Sequence, residues 1–249
     1  MARVNSLIKI EGTLDQLTFY KSQDGHLVKT KGGVSKSRIM NDPNFIRTRE
    51  NGNEFGMAAT AGKFLRDSLR TMIMTASDNR VTSRLTQLMM LIKDYDTTSA
   101  RGERNVGVGI IDPSAGIILQ GFEFNRRAIL GSVLLKPYAV NTATGVVTIP
   151  GLIPVNDINI IPGATHVTFS ACFADVDFAN GISDVKYTNK VNIVIDPSLT
   201  NVTLTPTAVP VGTGTKLILL RIEYFQEVNA VQYSLKNGAF NALSIISVV

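Results

Sequence analysis

The chain has 249 residues, of which 44% are apolar and 18% charged, so it holds material for one large core or two small ones. The charged share lies below the roughly 25% usual for soluble domains. With one cysteine, two histidines and a net charge of +5, a cystine-stapled framework and the common zinc ligand sets are excluded, and no long like-charge run marks a disordered chain.

The first residues do not read as a signal peptide, because Lys9, Glu11 and Asp15 interrupt any apolar run of that length. No stretch approaches the roughly 18 uncharged apolar residues of a membrane span. The expectation is a chain that starts in the cytoplasm without a membrane span, with a virion or an extracellular assembly as possible destinations. Residues Ser6 to Ile10 alternate like a strand, Gly12 breaks them, and Leu17 to Lys21 resume the pattern. The Asp24-Gly25 turn then leads into Leu27 to Lys31, and Gly32-Gly33 ends a hairpin unit. A ribbon this small buries no face of its own and must lie on something else.

Asp42-Pro43 is a helix start, with Asp as cap and Pro in the first turn. Beyond it Phe55, Ala58, Ala59, Leu65, Leu69, Met72 and Ile73 recur at helical spacing, interrupted by Gly52, Gly56 and Gly62. A second stripe of Val81, Leu85, Leu88, Met89 and Ile92 follows the break at Ser77-Asp78-Asn79. The methionines gathered here (Met72, Met74, Met89, Met90) read as core filler or an adaptable protein interface. Residues 97–105 are polar and aperiodic, which makes them the linker expected between a ribbon-plus-helices region, 1–96, and a second domain, 106–249. In that second domain short β-branched runs are punctuated by turn residues. Strands are expected at 106–111, 116–124, 128–135, 146–149, 165–174, 186–195, 201–205, 216–228 and 241–248. The fold class is therefore α+β: a β-hairpin arm and a helical hairpin, then an antiparallel β-sandwich, Ig-like or jelly-roll-like.

Chemistry-bearing groups are sparse. His26 and His166 lie far apart in the sequence, and Cys172 sits in an alternating run that suits a buried thiol. Gly107-Val108-Gly109 lacks the third glycine and following helix of a dinucleotide fingerprint, and Gly212-Thr213-Gly214 lacks phosphate-loop spacing. Asp175 and Asp177 share a strand face near Asp184, which leaves a calcium- or carbohydrate-binding module as one alternative. Glu223 and Glu227 form a poor glycosidase pair in a chain without tryptophan. Residues 1–105 carry 17 Lys and Arg against 11 Asp and Glu, whereas 106–249 carry 8 against 9. The cluster Lys29, Lys31, Lys36, Arg38, Arg47 and Arg49 is the anion-binding candidate, and a nucleic-acid- or anion-binding protein is a further alternative.

The runs Ile10 to Asp15, Leu17 to Tyr20, Lys31 to Ser35, Thr48 to Asn51 and Glu54 to Gly56 resemble a recurring family of Bacteroidota proteins of uncharacterised activity. The likeness is best over the first seventy or so residues and implies a bacterial or bacteriophage source; it implies no activity. With no catalytic set and no cofactor expected, the leading expectation is a non-enzymatic structural subunit that assembles with copies of itself into a filament, tube or virion component. Its expected contacts are Phe19 and Tyr20 in the arm, with Ile245 and Val248 in an apolar last strand that must pair within the sandwich or with a neighbour.

Overall fold

The computed structural model describes residues 2, 3, 10–30 and 32–249, and the backbone divides into two compact units, Met1–Glu50 and Asn51–Val249. The first is a four-stranded antiparallel ribbon: β1 (Ala2–Arg3), β2 (Gly12–Leu14), β3 (Leu17–Ser22) and β4 (Gly25–Thr30), in the order β1-β4-β3-β2. Gly25 turns the β3–β4 hairpin at a φ of 108°, a region L side chains rarely adopt. Apart from Ile10, the strand expected at Ser6 to Ile10 lies outside the described residues. A short helix α1 (Lys36–Asn41) follows, its first turn capped by the Ser35 hydroxyl, which accepts from the Arg38 amide. Asp42 caps a 3₁₀ turn, Pro43–Phe45, by accepting from the Asn44 amide. That turn runs on into α2 (Ile46–Ser68), so the Asp-Pro signal does open a long helix, one turn early. None of the described residues between 10 and 50 is buried.

The second unit has three layers. On one side lie α2 from Asn51 onward, α3 (Arg70–Ile73) and α4 (Val81–Lys93). Short helices α5 (Val106–Gly109), α6 (Pro113–Ile117) and α7 (Leu130–Val133) lead to β5 (Ala139–Val140) and β6 (Val147–Leu152). After α8 (Pro154–Asp157) come β7 (His166–Asp177), β8 (Ile182–Tyr187), β9 (Val191–Val194) and β10 (Thr200–Leu204). The chain closes with β11 (Thr215–Val228), β12 (Val231–Ser234) and β13 (Ala242–Val248). A six-stranded antiparallel sheet follows the order β12-β11-β7-β8, with β13 also on β11 and β9 also on β7. A three-stranded sheet, β10-β6-β5, forms the third layer.

Strand alternation explains how one sheet serves two cores. Val167, Phe169, Ala171 and Phe173 of β7, with Ile218, Leu220, Ile222 and Tyr224 of β11, pack against Val147, Ile149, Val202 and Leu204 of the small sheet. The opposite face, including Cys172, Ala174, Leu217, Leu219, Leu243 and Ile245, packs with Ala58, Leu65, Leu69, Met72, Leu85 and Met89 of the helices. With both faces covered, β7 and β11 are buried in long unbroken stretches rather than in the in-and-out pattern of a free-standing sandwich. The fold is α+β with a sandwich-like region, and the helical pair shares a core with the sheet.

Three expected strands are not strands. Asn105 accepts from the Val108 amide and starts α5; Asp112 accepts from the Ser114 amide and, with Pro113, starts α6; residues 128–135 contain α7. In the first two segments local caps outweigh the β-branched composition, whereas α7 opens after Ile129 without a side-chain cap. The α5 backbone lies so close to α4 that a Cβ at Gly109 would overlap the Ile92 carbonyl. The strand expected at 186–195 breaks at Thr188, whose amide donates to the Ala171 carbonyl, leaving β8 and β9 as separate neighbours of β7. Among the described residues no helix is long and apolar enough to cross a membrane.

Candidate functional site

The two histidines lie on different strands, and Cys172 shares β7 with His166. His26 lies on β4, with its Nδ1 buried. His166 opens β7; its Nδ1 lies 3.0 Å from the Thr165 hydroxyl and its Nε2 3.4 Å from the Glu227 carboxylate. Cys172 is fully buried on the helix-facing side of β7, and burial pushes its thiol up to about 12. The thiolate is the reactive form. A chromogenic thiol reagent is therefore expected to leave Cys172 untouched in the folded protein and to titrate one thiol in denaturant; rapid labelling without denaturant would contradict this placement.

The acidic trio does not converge. Asp175 accepts from the Gly214 amide, Asp177 from the amides of Ala179 and Asn180, and Asp184 from the Val211 amide while pairing with Lys186 at 2.8 Å. Among the described residues no group of three or more His, Cys, Asp or Glu gathers as metal ligands would. Glu223 is buried and paired with Arg221 at 2.9 Å, whereas Glu227 sits at the exposed end of β11. These two carboxylates serve different neighbours.

The structure instead centres charge on a residue that composition does not single out. Glu54, 1% exposed, accepts from Arg104 Nε and Nη2, both at 2.8 Å, from the Gly102 amide at 2.8 Å, and from the ammonium of Lys93. The Arg104 hydrogen bonds, with those of Lys93 and Gly102, outweigh burial and bring the Glu54 carboxyl down to about 2. Beside it burial would raise Asp96, but amide hydrogen bonds from Ser99 and Asn105 and the Thr98 hydroxyl outweigh it and lower the group. Residues 97–105, polar enough to suggest a linker, are thus tied to α2 and to the end of α4. The sequence does carry a signal: Glu54 falls in register with Ala58, Gly62 and Leu65, and Lys93 follows Met89 by four, so each helix places one charge on its buried stripe.

Of the basic cluster, Arg38 pairs with Asp42 at 3.2 Å, Arg47 with Glu50 at 2.9 Å, and Arg49 donates to the carbonyls of Ile39 and Asp42. The Lys29 ammonium sits 5.6 Å from the centre of the Tyr20 ring, Lys36 is exposed, and Lys31 lies outside the described residues. The arginines hold the α1–α2 corner together instead of presenting a shared anion site.

The four expected contact residues occupy different settings. Phe19 and Tyr20, adjacent on β3, point to opposite ribbon faces. The register opposes Leu14 to Leu17 and Phe19 to Val28, so these four share one face. Leu14 is 66% exposed and Leu17 43%. Ile245 is fully buried in the helix-facing core, because β13 pairs with β11 of its own chain and Gly121 and Phe124 donate to the carbonyls of Ile245 and Leu243. It offers no surface to a neighbour, which corrects that expectation; Val248 is half-buried.

In the second unit a groove of about 950 Å³ lies between α2, residues 102–107 and the β7–β8 turn, continued by a second of about 740 Å³ toward the end of β13. The two share Gly107, Phe178, Ala179 and Asn180. Phe64 and Phe178 meet edge to face at 6.0 Å within it. The Glu54 cluster holds its walls in place by tying Gly102 and Arg104 to α2. No family model, curated protein or solved structure matches the chain.

Proposed function

We propose that the chain is a non-enzymatic structural subunit that assembles with further copies of itself. One observation carries the reading: a 50-residue unit with four strands and two short helical segments buries none of its described residues from 10 to 50, yet groups Leu14, Leu17, Phe19 and Val28 on one face. Such a ribbon gains little from hydrophobic burial within itself, so its apolar face calls for completion by another molecule. The structural settings of His166, Cys172 and the acidic residues add support. The basic-cluster alternative draws less, since its arginines serve partners inside their own unit.

Light scattering on the full chain is expected to report a species of several times 27.0 kDa. Leu14→Glu/Leu17→Glu, which places charge on the apolar ribbon face, is expected to return it to a monomer. A monomeric parent protein at micromolar concentration would overturn the proposal.

A further inference from the structure

We infer that the groove of the Asn51–Val249 unit receives the apolar ribbon face of a second copy, an arrangement that rests on the assembly reading above. The occupant is argued from three properties. First, the lining is mainly apolar: Gly52, Asn53, Gly56, Met57, Thr60 and Ala61 form the α2 wall, with Phe64 and Phe178 at its edge. Second, within the Asn51–Val249 unit a Cβ at Gly52 or Gly56 would meet nothing within 4 Å, so this unit's own packing does not require glycine there. Glycine within a helix is unfavourable relative to alanine, and two of them one turn apart suit close approach by an external backbone.

Third, charge is complementary. Among the described residues, the ionisable side chains lining either part of the groove are Glu103 and Asp177, both acidic. Met1–Glu50 carries nine lysines and arginines against five acidic residues. A ribbon entering by its Leu14, Leu17, Phe19 and Val28 face fills apolar space and brings Lys21, on that same face, near an acidic rim. The contact is heterologous, ribbon to groove, so repetition gives a ring or an open filament rather than a closed pair.

Cross-linking tests the contact, with native Cys172 buried and silent. Leu17→Cys protein is mixed and co-assembled with Thr60→Cys protein, and separately with Val209→Cys protein, whose position is exposed and outside the groove. A short thiol cross-linker is expected to join Leu17→Cys to Thr60→Cys at least tenfold more than to Val209→Cys. Gly56→Trp, which fills the groove from an unobstructed position, is expected to cut the assembled fraction at least tenfold with the melting temperature retained. An assembly that survives Gly56→Trp and shows no preference for Thr60→Cys overturns the groove as the docking site and leaves self-assembly standing. A parent protein that stays monomeric overturns both.

Discussion

Glu54→Ala is expected to lower the stability of the Asn51–Val249 unit by about 3–5 kcal/mol, the usual cost of removing one partner from a buried ion cluster. The loss arises because Lys93, 4% exposed, and the partly buried Arg104 lose their buried carboxylate and keep the exposed Asp94, at 2.8 and 3.5 Å, as a counter-charge. The Gly102 amide loses its acceptor as well. For a unit of this size about 2–4 °C accompanies each kcal/mol, so the melting temperature should fall by roughly 6–20 °C. Glu54→Met/Lys93→Met should recover part of the loss, since an apolar pair of similar volume removes a buried ammonium left with the exposed Asp94 as its partner. The pH dependence has a definite sign. A carboxyl at about 2 in the fold and 4.5 when unperturbed stabilises the protein above pH 4.5, and that contribution disappears as the pH falls toward 2. Lowered Asp96 acts in the same direction. Urea melts of the parent and Glu54→Gln between pH 7 and 2.5 should converge toward the acid end; a constant difference would show that Glu54 is not the titrating group.

The sequence made β7, β11 and β13 legible because long β-branched runs have few other ways to bury themselves, and it gave the helical stripes of Leu65, Leu69, Met72, Leu85 and Met89 by their spacing. It failed between 106 and 135, where Val106, Val108, Ile110 and Ile111 suggest strand while Asn105 and Asp112-Pro113 carry helix-start chemistry. The Asp-Pro start chemistry of Asp42-Pro43 recurs at Asp112-Pro113, and there it prevails over the β-branched composition. The role of residues 97–105 depended on Glu54, about 50 positions earlier, and no local pattern reports such a partner. The ribbon was recognisable from its turn and alternation, but its apolar face required the register: adjacent Phe19 and Tyr20 look equivalent in sequence and are opposed in the sheet. The apolar last strand had to pair within the sandwich or with a neighbour, and the sequence left that choice open; β11 pairs with one edge and residues 121–124 cover the other.

Arg221→Met is expected to cost about 3–5 kcal/mol, for reasons distinct from those at Glu54. Arg221 is 4% exposed on the helix-facing side of β11. Its Nε donates to the Ser170 hydroxyl at 3.1 Å, and its Nη1 to the Thr71 carbonyl at 3.1 Å and the Thr75 hydroxyl at 3.0 Å. Nη2 pairs with Glu223, 6% exposed, at 2.9 Å. One guanidinium thus joins β7, β11 and the α3 region, and burial draws its pKa down despite the attraction of Glu223. A methionine fills most of the volume but leaves the Glu223 carboxylate buried without its cation, and the Thr71 carbonyl without this donor. Arg221→Met/Glu223→Leu removes both charges and should regain most of the loss, which urea midpoints at unchanged m-value would measure. If the single variant matches the parent, water or a rotated threonine satisfies the site and the guanidinium is not what fastens α3 to the sheet. If the single variant is unstable and the double variant no better, the essential part is the arginine's link to Thr71 and Thr75, and neutralising Glu223 has nothing to restore.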